Sequence, residues 1–401
     1  MRALTDIVAA TPATQPSPAG VRFERLDVLR AWAILAVFLF HSLGTVFQTD
    51  QLPWTATAPD FAAASHPAFL VFYGYALGPL GVTLFFVISG FCIHWSYLRW
   101  LNEPRRTSAA NTREFIGLFY WKRLWRIYPP YLVALLVWAL LRGYDFTSLH
   151  DLKQITVHAL LLHNFDEGHF FAVHGVFWSL AVEMQLYAIY PLVIFAHRRF
   201  KLAAIIGLLV ASVALKESNV LGLIENARLK FAIGQLPIFY WPQWLAGALA
   251  AEFVSRRIVP GRVWAVAVFV AGCLYLPASQ HLMFRDAATY LVFGVFAVAV
   301  WIAASDQRPL GPFERILVPI GMCSYSLYMY HTLAVYPFLL IASPKPEWSP
   351  WWELTYGSLL GLIVTLGISW LAYVWIEKTS EKTGAILLSR LRATHKAVRA
   401  T

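Results

Sequence analysis

The fold class that the sequence predicts is an all-α bundle of about ten transmembrane helices. Of the 401 residues, 59% are hydrophobic and only 13% are charged, which is more apolar surface than a water-soluble protein can bury. Apolar stretches long enough to cross a bilayer recur along the chain. The 17 Trp and 18 Tyr residues are enough to form aromatic belts at both membrane interfaces.

The predicted spans are ten apolar stretches, of which the third and fifth are short. They cover residues 27–47, 80–98, 128–142, 174–196, 201–216, 237–254, 262–278, 286–304, 320–341 and 353–376. A further apolar segment at 151–163 is too short to span and is expected to be a re-entrant or surface helix. Around the spans, the sequence predicts a disordered cytoplasmic tail over 1–20, a membrane domain over 21–380 and a basic cytoplasmic tail over 381–401.

Basic residues are distributed unevenly between the two sides of this predicted membrane domain. If the N-terminus is cytoplasmic, the outer side holds only Arg142, Lys153, Lys216, Arg228, Lys230, Arg285 and Lys345. Such an asymmetry predicts that both termini are cytoplasmic. The net charge of +10 therefore favours a lipid bilayer, and not nucleic acid, as the partner. No disulfide framework is expected, because all three cysteines fall in apolar spans: Cys92, Cys273 and Cys323.

Ionisable side chains deep in the spans are candidates for chemistry, because a charge in the hydrocarbon core is costly. His41, Glu183 and His331 fall at similar depth in this topology, which predicts a shared polar cavity near the middle of the bilayer. Arg30 precedes His41 by eleven residues, so on a helix both lie on one face, about 16 Å apart along the axis. The alternatives are a histidine that only hydrogen-bonds its neighbours and a structural Glu–His pair.

A basic cluster leads into the third span. Arg123 and Arg126 are three residues apart, so a helix presents them together. With Arg30 at the same interface, they would form an anion site suited to phosphate groups. The equally weighted alternative is ordinary anchoring by positive residues on the cytoplasmic side.

Other patterns predict packing in place of chemistry. Gly81, Ser89 and Gly90 in the second span permit the close approach of a neighbouring helix. Trp178 and Tyr187 are typical of packing or of an interfacial belt. No metal site is predicted, because the outer-loop histidines match no metal-binding spacing; they are His150, His158, His163, His169 and His174.

Taken together, these segments resemble the acyltransferase-3 family, the integral membrane acyltransferases of bacterial glycan modification. Each match is weak alone, but the matches occur in family order over nearly the whole chain. Trp32 departs from the small residue that members often carry after the Arg, which concerns local packing. The matching residues are Asp27, Arg30 and His41; Gly81 to Phe91 with Ser89; Arg123, Arg126, Tyr128 and Pro129; Trp178, Ser179, Leu180, Glu183 and Tyr187; Ser324 to Tyr328 and His331; and Ile376, Glu377 and Lys378.

The resemblance implies an acyltransferase domain over 21–380 that moves an acyl group, usually acetyl, from acyl-coenzyme A to a hydroxyl. It implies acetyl-CoA or another acyl-CoA as the donor substrate and no permanently bound cofactor. The acceptor would be a cell-surface or lipid-linked glycan, although other members acylate small molecules such as macrolides. The expected location is the bacterial inner membrane, with the donor on the cytoplasmic side.

The mechanism that we predict uses the residues singled out above. Arg30, Arg123 and Arg126 would hold the phosphates of coenzyme A, while neutral His41 acts as general base on the acceptor hydroxyl. Glu183 would orient the imidazole, and an acetyl-His intermediate is a variant. The oxyanion would be met by Ser89, Tyr328 or His331; Asp27, Trp178, Tyr187 and Ser324 are the remaining supporting residues. The rival function is a transporter or flippase for a lipid-linked sugar that uses the same groups as a proton relay.

Overall fold

The computed structural model describes residues 23–47, 68–103, 109–218, 220–280, 285–341 and 350–398. Within these ranges the regular structure is helical and contains no strand. The all-α class is therefore confirmed for the described part. The tail predicted for 1–20 lies outside these residues.

Fifteen α-helices follow one another in the described part of the chain. They are α1 (Glu24–Phe47), α2 (Ala68–Leu101), α3 (Ala109–Leu141), α4 (Leu149–Ala159), α5 (Glu167–Phe170), α6 (Phe177–Phe200), α7 (Leu202–Glu217), α8 (Ala227–Gly234), α9 (Trp241–Ser255), α10 (Arg262–Gln280), α11 (Arg285–Ser305), α12 (Pro312–Met322), α13 (Ser324–Ile341), α14 (Pro350–Ala372) and α15 (Lys378–Val398). Short 3-10 turns occur at His163–Phe165, Val220–Leu223 and Pro237–Tyr240, and a π-helical turn at Tyr373–Glu377 joins α14 to α15.

Six described helical segments are long and apolar enough to cross a membrane. They are Glu24–Thr45, Leu77–Leu101, Asn111–Leu141, Phe177–Phe200, Ala288–Ser305 and Thr355–Thr394. The expected number of about ten is not confirmed. Two of the predicted spans form helices of only 16 and 15 residues, α7 and α9. The predicted span at 320–341 contains a helix break at Cys323, between α12 and α13.

The short helix α9 is almost entirely enclosed by protein. Apart from Gln243 and Glu252, its residues are mostly apolar on all sides, which is the pattern of a buried helix. Helices α2, α7 and α11 pack around it. Its burial explains how a 15-residue helix can lie in the bundle without lipid on its sides.

Glycines permit a close crossing of α2 and α9. A methyl group on Gly90 in α2 would overlap the backbone carbonyl of Trp244 in α9. Reciprocally, a methyl group on Gly247 in α9 would overlap the carbonyl of Val87 in α2. Gly81 has the same relation to the Ala33 carbonyl of α1, 2.5 Å from the position of a Cβ. The predicted close packing at Gly81 and Gly90 is thus confirmed.

The last two helices, α14 and α15, form one long helical segment. The segment Thr355–Thr394 is 40 residues long, about twice the length needed to cross the hydrocarbon core. Its terminal part, α15, packs against α3, where the Trp121 indole donates to the Gly384 carbonyl at 2.8 Å. Ser380 also donates to the backbone carbonyl of Trp125. The two helices thus pack together near the cavity described next.

Candidate functional site

A cavity of about 230 Å³ lies between α1, α2, α3, α6 and α13. Its walls are formed by helices that are far apart in sequence, so the fold alone brings their side chains together. Eight of the predicted site residues line it. They are Arg30, Ser89, Arg123, Arg126, Glu183, Tyr187, Ser324 and Tyr328.

Three guanidinium groups contribute to the cavity wall. Arg30 donates to the Asp27 carboxylate at 2.7 Å and to the Cys92 sulfur at 3.1 Å. Asp27 is buried, so this pair fixes the orientation of Arg30. Arg123 and Arg126, one turn apart on α3, line the same cavity. The predicted convergence of the three arginines is therefore present in the structure.

Arg123 and Arg126 have different interaction partners. The guanidinium of Arg123 lies 5.6 Å from the ring centroid of Tyr187, in cation–π geometry. Arg126 is 3.7 Å from the Glu381 carboxylate of α15, and its side chain is 44% exposed. An exposed ion pair of this length contributes little free energy. Arg126 is consequently free to exchange Glu381 for a more strongly charged ligand.

The Glu183 carboxylate lies within a cluster of hydroxyl groups. Ser89 donates to Glu183 Oε1 at 2.8 Å, and the Tyr187 hydroxyl donates to the same oxygen. The hydroxyls of Ser89 and Tyr187 are 3.0 Å apart. This network places one carboxylate and two hydroxyls in the cavity that the arginines also line, and it gives Tyr187 a polar role in addition to packing.

Tyr328 connects the cavity with a pair of histidines. Its hydroxyl lies 2.7 Å from the Ser179 hydroxyl on the cavity wall. One turn later, His331 Nδ1 is 2.8 Å from the backbone carbonyl of Tyr328. The His331 ring is 4.9 Å, between centroids, from the ring of His41 on α1. His41 and His331, predicted to lie at the same depth, are therefore neighbours.

The hydrogen bond of His331 fixes its tautomer. A carbonyl oxygen can only accept, so in the neutral ring Nδ1 carries the proton and Nε2 is an acceptor. His331 is fully buried, and Nε2 has no hydrogen-bond partner in the described part of the structure. That nitrogen is available to accept a proton or an N–H. Nearby, His174 bonds the Thr332 hydroxyl at 2.6 Å, which adds a third histidine to this region.

Not all of the predicted partners meet. Among the described residues, no hydrogen bond joins Glu183 to His41; the hydrogen bonds of Glu183 go to Ser89 and Tyr187. Trp178 does not line the cavity and packs against Phe170, with ring centroids 5.7 Å apart. Its predicted role in packing agrees with this position. The catalytic assignments of His41 and Glu183 stay predictions.

Several polar residues at or near the site were given no role from the sequence, although Ser179, Ser326 and Glu377 belong to segments that match the family. Cys92 contacts Arg30, and Ser179 contacts Tyr328. Ser326 donates to the buried Glu377 carboxylate at 3.0 Å, next to the π-helical turn. The available signal for Glu377 was an acidic residue at the end of an apolar stretch. Ser179 belongs to the matching segment that begins at Trp178, whereas Cys92 was considered only for disulfide formation.

The set of deep ionisable groups was also incomplete. His94 in the second predicted span and Glu252 in the sixth are fully buried, in addition to His331. Both lie near the ends of predicted spans, close to basic residues that follow in the chain.

Comparison with known proteins identifies the family of the chain. A family model described as an acyltransferase domain matches residues 23–374. The O-acetyltransferase OatA of Staphylococcus aureus is 25% identical over 394 residues, covering 90% of this chain but 57% of the relative. The chain thus spans little more than half the length of that relative.

Two further relatives come from Rhizobium. The exopolysaccharide production protein ExoZ of Rhizobium meliloti is 26% identical over 278 residues, covering 67% of this chain and 80% of the relative. Nodulation protein 10 of Rhizobium leguminosarum bv. viciae is 27% identical over 396 residues, covering 92% and 95%. No solved structure matches. Since the family model covers most of the chain, including the whole cavity, this protein belongs to the acyltransferase-3 family.

Proposed function

We propose that the protein is an integral membrane O-acyltransferase that moves an acyl group, acetyl in the first instance, from acyl-CoA to a hydroxyl of a cell-surface or lipid-linked glycan. The observation that carries this proposal is the convergence of Arg30, Arg123 and Arg126 on one cavity. Through Tyr328, that cavity adjoins the paired rings of His41 and His331. The names of the relatives, an O-acetyltransferase and an exopolysaccharide production protein, favour this acyl group and acceptor class.

The donor end of the site suits a coenzyme A thioester. Guanidinium groups bind phosphates through paired, charge-assisted hydrogen bonds. In this proposal the phosphates lie at Arg123 and Arg126, and the thioester arm extends past Ser89 towards Tyr328. The basic side of the cavity then faces the cytoplasm, in the inner membrane of a bacterium, in agreement with the distribution of Lys and Arg along the chain.

Acyl transfer requires one proton to leave the acceptor. Neutral His41 takes the proton of the acceptor hydroxyl, whose oxygen attacks the thioester carbonyl carbon. The C–O bond forms, the C–S bond breaks, and the coenzyme A thiolate receives the proton from the imidazolium. The Nε2 acceptor of His331 is the group best placed to orient His41. Glu183, held by Ser89 and Tyr187, would act on the donor side of the cavity.

The decisive test is transfer of label from [¹⁴C]acetyl-CoA to membrane glycan in vesicles that contain the purified protein. His41→Ala is expected to lower the rate by a factor of about 10²–10⁴, the usual contribution of a general base. His150→Ala, at an exposed histidine of α4, is the matched control and should retain the wild-type rate.

Near-normal transfer by His41→Ala would contradict the proposed chemistry. Movement of a lipid-linked sugar across the vesicle membrane without a gain of acetyl mass would favour the transporter. Mass spectrometry of surface glycans and secreted metabolites from a deletion strain and its complemented parent would identify the acceptor and separate a glycan from a small molecule such as a macrolide.

A further inference from the structure

A second buried polar cluster lies outside the proposed acyl-transfer cavity. His94 of α2, His197 of α6 and Glu252 of α9 meet near the C-terminal ends of these helices, and each is at most 3% exposed. His94 Nε2 lies 2.9 Å from Glu252 Oε1, and His197 Nε2 lies 2.7 Å from the same oxygen. Two imidazoles and one carboxylate from three separate helices thus surround a single point.

His197 is not satisfied by these neighbours. Neither of its ring nitrogens makes a hydrogen bond within the described part of the structure, although Nε2 is close to Glu252. The ring therefore approaches the carboxylate without aligning an N–H with it. A buried imidazole left in this state costs free energy, unless its lone pair is used by another group.

The cluster opens on one side to a cavity of about 460 Å³. His197 and Glu252 reach the wall of this cavity, together with Asn102, Arg198, Lys201 and Arg256. The guanidinium of Arg256 contacts Glu252 Oε2, and its side chain is 37% exposed, so it can swing into the cavity. Because the cluster is open on this side, water can reach a position beside the three side chains.

The donor set matches a zinc site. Zn²⁺ binds His nitrogen at about 2.0–2.1 Å and carboxylate oxygen at about 2.0–2.2 Å, in tetrahedral sites whose ligand atoms are about 3.3 Å apart. The three ligand atoms of this cluster all lie within 4.8 Å of one another, so small side-chain rotations suffice. His94 has the outer hydrogen bond typical of a metal ligand, because its Nδ1 is 3.1 Å from the Tyr190 hydroxyl.

We propose that His94, His197 and Glu252 bind one Zn²⁺, with water in the fourth position and Arg256 displaced into the adjoining cavity. The ion joins α2, α6 and α9 at a level one to four helical turns from Ser89 and Glu183. Its role is to fix these helices relative to one another, and no step of acyl transfer passes through it. The proposal does not depend on the acyltransferase activity.

Metal binding by the full-length protein tests the proposal directly. The protein is purified in detergent through a tag without histidines, stripped with chelator and dialysed against Zn²⁺. Mass spectrometry of the bound metal should then find about one Zn²⁺ per chain in the wild type and in His150→Gln, and almost none in His94→Gln or Glu252→Gln. Arg256→Gln should bind zinc at least as tightly as the wild type, because it removes a competitor for the carboxylate.

Two measurements on the wild type guard against variants that fail to fold. Co²⁺ should give the intense visible absorption of a tetrahedral site, and added Zn²⁺ should abolish it. Zn²⁺ should also raise the thermal unfolding temperature, since a ligand that binds only the folded state stabilises it. Absence of bound zinc or of the Co²⁺ spectrum in the wild type would overturn the proposal. The cluster would then only hold the helices together through hydrogen bonds and ionic contacts.

Discussion

Arg126 shows how a single side chain can serve both the fold and a ligand. Its partner Glu381 is 3.7 Å away on a partly exposed surface, which makes the pair easy to break. Arg30, by contrast, is held by the buried Asp27. The proposed donor site therefore combines a fixed guanidinium with an exchangeable one.

Replacing Arg126 by glutamine should raise the apparent KM for acetyl-CoA by about 10- to 100-fold, the effect of losing a hydrogen bond to a charged group. The kcat should change little, because in the proposed complex this residue would contact the donor far from the reacting carbon. Added salt should weaken the wild type more than the variant, since screening acts on the charge that the variant lacks. Initial rates at several acetyl-CoA and salt concentrations measure both effects.

Two control variants accompany this measurement. Arg113→Gln removes an exposed arginine of the same helix that does not line the cavity, and it should leave KM unchanged. Glu381→Gln removes the partner of Arg126 and should leave KM the same or lower it. An increase in KM with Glu381→Gln equal to that with Arg126→Gln would show that the ion pair itself, and not phosphate binding, is what matters.

For single residues, the sequence predicted which side chains line the same cavity better than it predicted which of them make direct contact. The i, i+3 spacing of Arg123 and Arg126 correctly placed both on one face. Depth arithmetic predicted a similar level for His41 and His331, and the structure brings their rings to 4.9 Å between centroids. Equal depth does not specify how a helix is rotated about its axis, and for that reason the expected contact between Glu183 and His41 did not follow.

Helices α2 and α9 pack with their backbones in close contact. Their crossing depends on Gly90 and Gly247, each of which lies against a backbone carbonyl of the other helix. A backbone carbonyl cannot move aside as a side chain can. Any side chain at either position must therefore separate the two helices.

Gly90→Ala should destabilise the protein by about 1–3 kcal/mol, the typical cost of overpacking a close contact. Gly367→Ala in α14 is the matched control, because a Cβ there would meet nothing within 4 Å. That control should be neutral or slightly stabilising, since alanine is the better helix former. Thermal unfolding in detergent, followed by circular dichroism, compares the two. Equal melting temperatures for both variants would show that the crossing tolerates a side chain.

At the level of elements, hydropathy identified the long helices but did not distinguish membrane spans from short helices that are enclosed by protein. A window of apolar residues does not distinguish a span from a helix such as α9, which is surrounded by protein. The start of α3 was placed too late, because its first turns are rich in charged residues although they are helical. The break at Cys323 was not predicted, although Gly321 and Ser324 lie beside it.

For the whole molecule, buried histidines link stability to pH. His158 of α4 and His163 are fully buried, and their rings stack with centroids 3.9 Å apart. Burial lowers the pKa of His158 to about 4 and that of His163 to about 3. In the unfolded chain both have the ordinary pKa of 6.5, so the unfolded state binds more protons below that pH.

Stability should therefore be highest above pH 6.5 and decrease as the pH falls towards about 4, where the loss begins to level off. Each unit of pKa difference corresponds to about 1.4 kcal/mol. Chemical denaturation at a series of pH values measures this slope. His158→Phe, which keeps a stacked ring without a titrating group, should flatten it, whereas His150→Gln at the exposed start of α4 should not. Identical slopes for the wild type and His158→Phe would contradict this linkage.

The 40-residue helix at the C-terminal end has a practical consequence for protein preparation. Membrane proteins are often shortened at a charged terminus to improve their behaviour in solution. Here α15 covers the indoles of Trp121 and Trp125, and Gly384 is packed directly against Trp125. Removing the residues after Glu377 would expose both indole rings to solvent near the cavity. A shortened protein would therefore present an apolar, aggregation-prone surface where the longer chain has a polar helix.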